Sequence, residues 1–242
     1  MIYVTGDIHG GIHIAKIKEF SKYATSDDIL IICGDFGRVG FNRSDSYFIE
    51  QEYQKCINYL SQQKFTILFI DGNRENFDKL YKYPRVKKYG SWTRQVSNNI
   101  YHLGRGEIYN INGVSIFTFG GATSPDSKKR IQGVTWWKQE EPNKMQRLKA
   151  LQNLQEYNYE VDYVITHAAP YDFVSLMCNQ VFPCKAAELF NTWYKDINFK
   201  RWYFGHYHLD CEVNDNFTCL FNKIIPLGNK VGVSIENNHR TK

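Results

Sequence analysis

Five short stretches of this chain place carboxylate, amide or imidazole groups directly after apolar runs. "IYVT" leads into Gly6-Asp7-Ile8-His9 and "ILIIC" into Gly34-Asp35. "TILFI" leads into Asp71-Gly72-Asn73, "YVIT" into His167, and "RWYF" into Gly205-His206-Tyr207-His208. Four of the seven histidines fall in these stretches, a concentration that packed or surface histidines would not show. Carboxylates, an amide oxygen and imidazoles form a mixed hard and borderline donor set. Such a set suits Mn2+, Fe or Zn2+ better than a thiolate set would. Seven donors are too many for one ion but suffice for two ions sharing a bridging carboxylate, the arrangement that clamps phosphate in hydrolysis. Neutral imidazole is needed for ligation, so this chemistry should fade in acid as the histidines protonate.

The elements that must position these groups alternate between strands and helices. Residues 2–5, 27–35 and 65–73 read as strands, the latter two fully buried because their apolar runs do not alternate. Between them, 13–24 carries an apolar stripe at Ile14, Ile17 and Phe20, and 46–63 reads as a second helix. Strands that alternate with helices predict a mostly parallel sheet with right-handed crossovers. After residue 84 the pattern changes. Residues 98–121 read as short strands and a hairpin turning at Asn112-Gly113, and 122–133 as a polar loop. A helix over 141–158, with Pro142 in its first turn, precedes a buried strand at 161–167. A helix near 184–196, a strand at 201–208 and closing strands near 218–222 and 230–235 complete the chain. In open α/β sheets ligands gather at the carboxyl ends of strands, so the five stretches should converge, and their glycines let the backbone approach a ligand closely.

Composition bounds the rest. The chain has 242 residues, 43% hydrophobic and 23% charged, which allows a sizeable core and excludes disorder. No repeat, low-complexity tract or linker interrupts it, so 1–242 reads as a single domain. Its net charge of +5 suits an anionic substrate. There is no apolar run near 18 residues and no charged-then-apolar leader, which points to a cytoplasmic protein without a membrane partner. The six cysteines form no C-x-x-C pair and read as reduced thiols.

"GDIHG", "GDFG", "GNRE", "ITHAAP" and "GHYH", in this order from residue 6 to residue 208, resemble the motifs of the calcineurin-like metallophosphoesterase family, in a bacterial or phage-type form. Each motif is weakly specific alone, whereas five in order, each after a strand, are strongly specific. The resemblance implies an α/β fold with a β-sandwich flanked by helices, in four α/β/β/α layers, and a dinuclear metal site at one edge. It implies Asp7, His9 and His208 on one ion, Asn73, His167 and His206 on the other, and Asp35 bridging. Two divalent ions follow, Mn2+ first, with Fe, Zn2+ or Ni2+ as alternatives. A hydroxide bridging them would attack phosphorus in line with the leaving oxygen.

The chain departs from the family pattern at Arg74, where a histidine usually protonates the departing oxygen. Arginine holds its proton at neutral pH and instead clamps phosphate oxygens. Its other reading is a salt bridge to Glu75 or a neighbouring acid. His13 and His102 are substitute proton donors to weigh against ordinary structural histidines. Arg38, just after "GDFG", is a candidate phosphate contact. Residues 120–142 resemble a loop insertion found in a subset of the family; there Trp136 or Trp137 could stack on a base, the other packing in the core. The function expected is a metal-dependent phosphoesterase acting on phosphodiesters or activated monoesters, nucleotides or nucleic acid by preference. Against it stand a metal-binding recognition scaffold that does not turn over, for which Arg74 argues, and a nuclease with a basic groove. The sequence identifies no protein partner.

Overall fold

The structure, a computed structural model, describes residues 1–40 and 42–232. Its strands in chain order are β1 (Ile2–Thr5), β2 (Ile29–Ile32), β3 (Thr66–Phe69), β4 (Arg85–Lys88), β5 (Ser91–Gln95), β6 (Ile100–Leu103) and β7 (Glu107–Ile111). They continue with β8 (Val114–Phe119), β9 (Tyr163–Thr166), β10 (Arg201–Phe204), β11 (Cys211–Glu212), β12 (Phe217–Cys219) and β13 (Ile224–Pro226). The helices are α1 (Ala15–Ser21), α2 (Arg43–Ser61), α3 (Phe77–Leu80), α4 (Lys144–Glu156), α5 (Tyr171–Met177) and α6 (Lys185–Trp193). None of the described helices is long and apolar enough to cross a membrane.

The strands form two sheets rather than the single sheet that strand–helix alternation predicts. One is ordered β13-β1-β2-β3-β6-β5-β4, the other β11-β12-β10-β9-β8-β7. Both keep a parallel centre, β1-β2-β3-β6 and β8-β9-β10-β12, with antiparallel margins.

Period-two alternation explains the layering. On β2, Ile29 and Ile31 pack with Tyr109, Ile116, Ile165 and Tyr203 from the second sheet, while Leu30 and Ile32 face Ile17, Phe20, Ile57 and Leu60 of α1 and α2. The outer face of the second sheet, through Phe117, Phe119, Val164 and Trp202, packs on Ala150, Val174, Ala187 and Phe190 of α4, α5 and α6. A strand buried on both faces reads as a continuous apolar run, as β2 and β3 do. The result is the four-layer α/β/β/α sandwich that the motifs imply.

Local corrections have local causes. Helix α4 begins after Pro142: Asn143 caps it, its side chain accepting from Gln146 N–H at 3.0 Å while the Gln146 side chain accepts from Asn143 N–H. The hairpin at Asn112-Gly113 is present, with φ of 53° and 82°. A second hairpin, β4–β5, turns at Tyr89-Gly90, and tyrosine gives no turn signal there. The closing strand expected over 230–235 is not formed at residues 230–232, and 233–235 lie outside the described residues. Ile224–Pro226 instead pairs antiparallel with β1. All six cysteines are free thiols.

Candidate metal centre

The carboxyl ends of β1, β2 and β3 lie side by side in one sheet, and those of β9 and β10 in the other. Their loops meet at one edge of the sandwich. The backbone carbonyl of Asp35 accepts from the N–H groups of Ile8 and His9 at 3.2 and 2.8 Å, which ties the first two loops together. Close approach demands glycine at two points. A Cβ on Gly72 would stand 2.0 Å from Asp35 Oδ1, and one on Gly205 would stand 2.3 Å from Asp7 Oδ1. His9, Asp35, His206 and His208 all have positive φ, between 42° and 68°. Non-glycine residues in that region cost on the order of 1–3 kcal/mol each and cluster where a site holds them.

The side chains of the five stretches converge. Asp7, His9 and His208 form one compact set of ligand atoms, and Asp7, Asp35 and His167 a second. Asp35 faces both: its Oδ2 lies 3.3 Å from His9 Nε2 and its Oδ1 3.5 Å from His167 Nε2. His208 Nε2 is 3.3 Å from Asp7 Oδ2. Asn73 Oδ1 is 3.2 Å from His167 Nε2, and the His206 and His167 rings meet edge to face at 4.9 Å.

Neighbouring groups fix which atoms point inward. His167 Nδ1 lies 2.8 Å from the Cys33 carbonyl, so Nδ1 carries the proton and Nε2 keeps its lone pair toward Asn73 and Asp35. Asn73 Nδ2 donates to Ser124 Oγ at 2.9 Å, and Ser124 Oγ and N–H donate to the two oxygens of buried Glu140 at 2.8 and 2.7 Å. That chain turns Asn73 Oδ1 toward the centre. Arg74 N–H donates to Asp35 Oδ1 at 2.8 Å, and His206 N–H to Asp7 Oδ1 at 3.1 Å. Behind Asp7, the ammonium of Lys16 donates to the carbonyls of Gly6, Asp7 and Phe221; burial pushes its pKa down to about 8.

These residues fit a pair of divalent cations. Asp7 is wholly buried and its Oδ2 has no hydrogen-bond partner, an arrangement that is costly for a carboxylate oxygen unless a cation faces it. Burial pushes the Asp7 carboxyl up, but the nearby imidazoles of His208, His167 and His9 outweigh this, leaving it below the usual range. Asp35 is likewise held low against burial by His167 and His9. Burial, with His167 adding, drives the His206 pKa down to about 3, which keeps its ring neutral and able to ligate.

The remaining sequence candidates separate. Arg74 is half-buried at the rim, and its guanidinium pairs with Asp126 of the 120–142 loop at 3.6 Å. Glu75 turns the other way, its two oxygens accepting from Gly37 N–H at 3.0 Å. Arg38 sits against the Gly10 turn, beside His9. His13 Nδ1 is 3.1 Å from His9 Nδ1, so it borders the centre. His102 does not: it is buried with Nε2 3.0 Å from Asp71 Oδ1, in a network that Arg105 completes. Trp137 packs in the core and donates to Asp78 at 2.8 Å, while Trp136 is half-buried on the loop. Sequence reasoning missed Ser124, Glu140 and Lys16. A supporting residue has no spacing rule, so none of the three stands out in the sequence.

Two comparisons bear on this geometry. The sequence model described as "Calcineurin-like phosphoesterase" matches residues 1–210. The chain is also similar to the lariat debranching enzyme of Schizosaccharomyces pombe, 29% identical over 159 residues, which are 62% of this chain and 28% of that protein. The match thus spans little more than a quarter of that relative's length.

Proposed function

The chain belongs to the calcineurin-like phosphoesterase family and is a metal-dependent phosphoester hydrolase; from that premise we propose that it is a phosphodiesterase of nucleotide or nucleic-acid substrates. Asp7, His9 and His208 would hold one divalent ion, and Asn73, His167 and His206 the other. Asp35 would bridge them, with Mn2+ the first metal to test. When bound, such a pair supplies Lewis acidity toward the phosphate oxygens and a water whose pKa falls to about 7. The residues of the chain do the rest. Asp35 is kept ionised by His167 and His9 and aimed by the Arg74 N–H, and His167 and Asn73 are locked with their ligand atoms inward.

At the rim Asp126 lies 3.6 Å from Arg74 and accepts from Arg130 at 2.7 Å, so the three leave one net positive charge, which suits a diester with one negative charge better than a dianionic monoester. Arg74 also cannot protonate a leaving oxygen, so reactivity should follow leaving-group quality. The similarity to a lariat debranching enzyme supports nucleic acid as the substrate class. We read 1–242 as one catalytic domain with 120–142 as an insertion that braces Asn73 and Arg74.

The observation that carries this reading is the position of Asp35, with one oxygen facing each cluster. The test is hydrolysis of bis-p-nitrophenyl phosphate against p-nitrophenyl phosphate after chelation and Mn2+ reloading. Metal-dependent turnover faster on the diester, abolished in Asp35→Asn, is expected. Undiminished turnover in Asp35→Asn would end the two-metal assignment.

A further inference from the structure

Beside the metal centre lies a cavity of about 300 Å3, reached from His206 and bounded by Pro125, Tyr171, Val174, Phe182 and Tyr207. That volume is at the low end for small-molecule clefts. Two of its tyrosines are held in place: Tyr171 Oη accepts from Cys184 N–H, and Tyr207 Oη accepts from Ala169 N–H at 3.2 Å. With the hydroxyls anchored, the rings form a preset wall whose ordering cost is already met before a ligand arrives. At the same cavity the chain exposes three successive apolar residues, Val181, Phe182 and Pro183, with Phe182 48% exposed. Exposed apolar runs of this kind signal a binding role.

We propose that this cavity receives the nucleobase attached to the scissile phosphate, with Phe182 as the residue on which it stacks. The proposal rests on the phosphodiesterase reading and deepens it. A phosphate held at the metal centre has His206 on one side, so the substituent on that side enters a space that His206 itself lines. The occupant must therefore be joined to the phosphate and be largely apolar on its faces. It must also be small enough for about 300 Å3. A base meets all three conditions, and aromatic side chains are the usual platform for one.

The test compares calorimetric binding of adenosine 5'-monophosphate and ribose 5-phosphate to the Mn2+-supplemented protein, since the two share a phosphate and differ by the base. The nucleotide should bind at least about 5-fold tighter, the lower end of what stacking one base contributes. Phe182→Ala should erase the difference and Phe182→Tyr should keep it. Equal or undetectable affinities overturn the proposal. So does a doubled mass in sedimentation that Phe182→Ala abolishes, because the exposed strip would then be a subunit interface. Hydrolysis of bis-p-nitrophenyl phosphate, run alongside, separates the two readings. Base-dependent binding without turnover would sink the phosphodiesterase and leave the base site standing, whereas turnover with equal affinities would do the reverse.

Discussion

Replacing Ser124 by alanine removes one hydroxyl that lies outside the proposed ligand set yet determines how Asn73 faces it. The wild-type hydroxyl accepts from Asn73 Nδ2 at 2.9 Å and donates to Glu140 Oε2 at 2.8 Å, and all three residues are buried. Without it, the Asn73 amide nitrogen has lost its acceptor and the carboxylate one of its donors. Leaving a buried polar group unpaired costs about 1–3 kcal/mol, so unfolding stability should fall by roughly that amount. The amide also becomes free to rotate its oxygen away from His167 Nε2, now 3.2 Å distant. Supporting partners of metal ligands are typically worth about 10- to 100-fold in metal affinity. Calorimetric Mn2+ titration should therefore show the weakening at one of two sites, with the ion at Asp7, His9 and His208 little changed. Ser124→Thr, which keeps the hydroxyl, should retain most of the affinity. A Ser124→Ala protein that loses stability but binds both ions normally would refute the claim that this hydroxyl orients Asn73.

Arg74→His should restore a proton donor and raise activity on esters with alkoxide leaving groups by about 10²-fold, the low end for general acid catalysis, while aryl esters gain little; equal gains on both would contradict this. Asp126→Asn frees Arg74 from its partly exposed ion pair, worth about 0.2–1 kcal/mol, and should lower KM for anionic substrates by roughly 1.5- to 5-fold. Asp71→Asn leaves the Arg105 charge buried without its carboxylate and should cost about 3–5 kcal/mol in denaturant unfolding. Asp71 also sets an acid limit. Burial raises its pKa, but Arg105 and His102 outweigh this and bring it down to about 2 from an ordinary 3.8. A depressed carboxylate stabilises the fold above its unfolded pKa and loses that contribution as pH falls through the folded one. The loss should therefore appear between about pH 4 and 2 in the metal-free protein, and an acid transition identical in Asp71→Asn would rule it out.

The proposed ligands were legible in the sequence because they sit on a local signal, an apolar run followed, in four of the five stretches, by glycine and a donor residue. Asp7, Asp35, Asn73, His167 and His206 all follow strands whose burial the apolar run announces. The second sheet was less legible from periodicity alone, since buried strands look alike whichever sheet they join; the order of the motifs supplied it. The β4–β5 hairpin was missed because Tyr89, at positive φ, carries none of the usual turn chemistry. Support for the ligands was hidden for a different reason. Ser124 lies 51 positions from Asn73, and the ammonium of Lys16 reaches a carbonyl 205 positions away. Such partners are set by tertiary packing and leave no pattern in the chain. Arg74 was visible as a departure, but its partner Asp126 required the fold of the insertion.

The most direct test of the central claim is an anomalous diffraction map from crystals soaked in Mn2+. Two peaks should flank Asp35, one among Asp7, His9 and His208 and the other among Asn73, His167 and His206. A single peak, or none at Asp35, would contradict the claim.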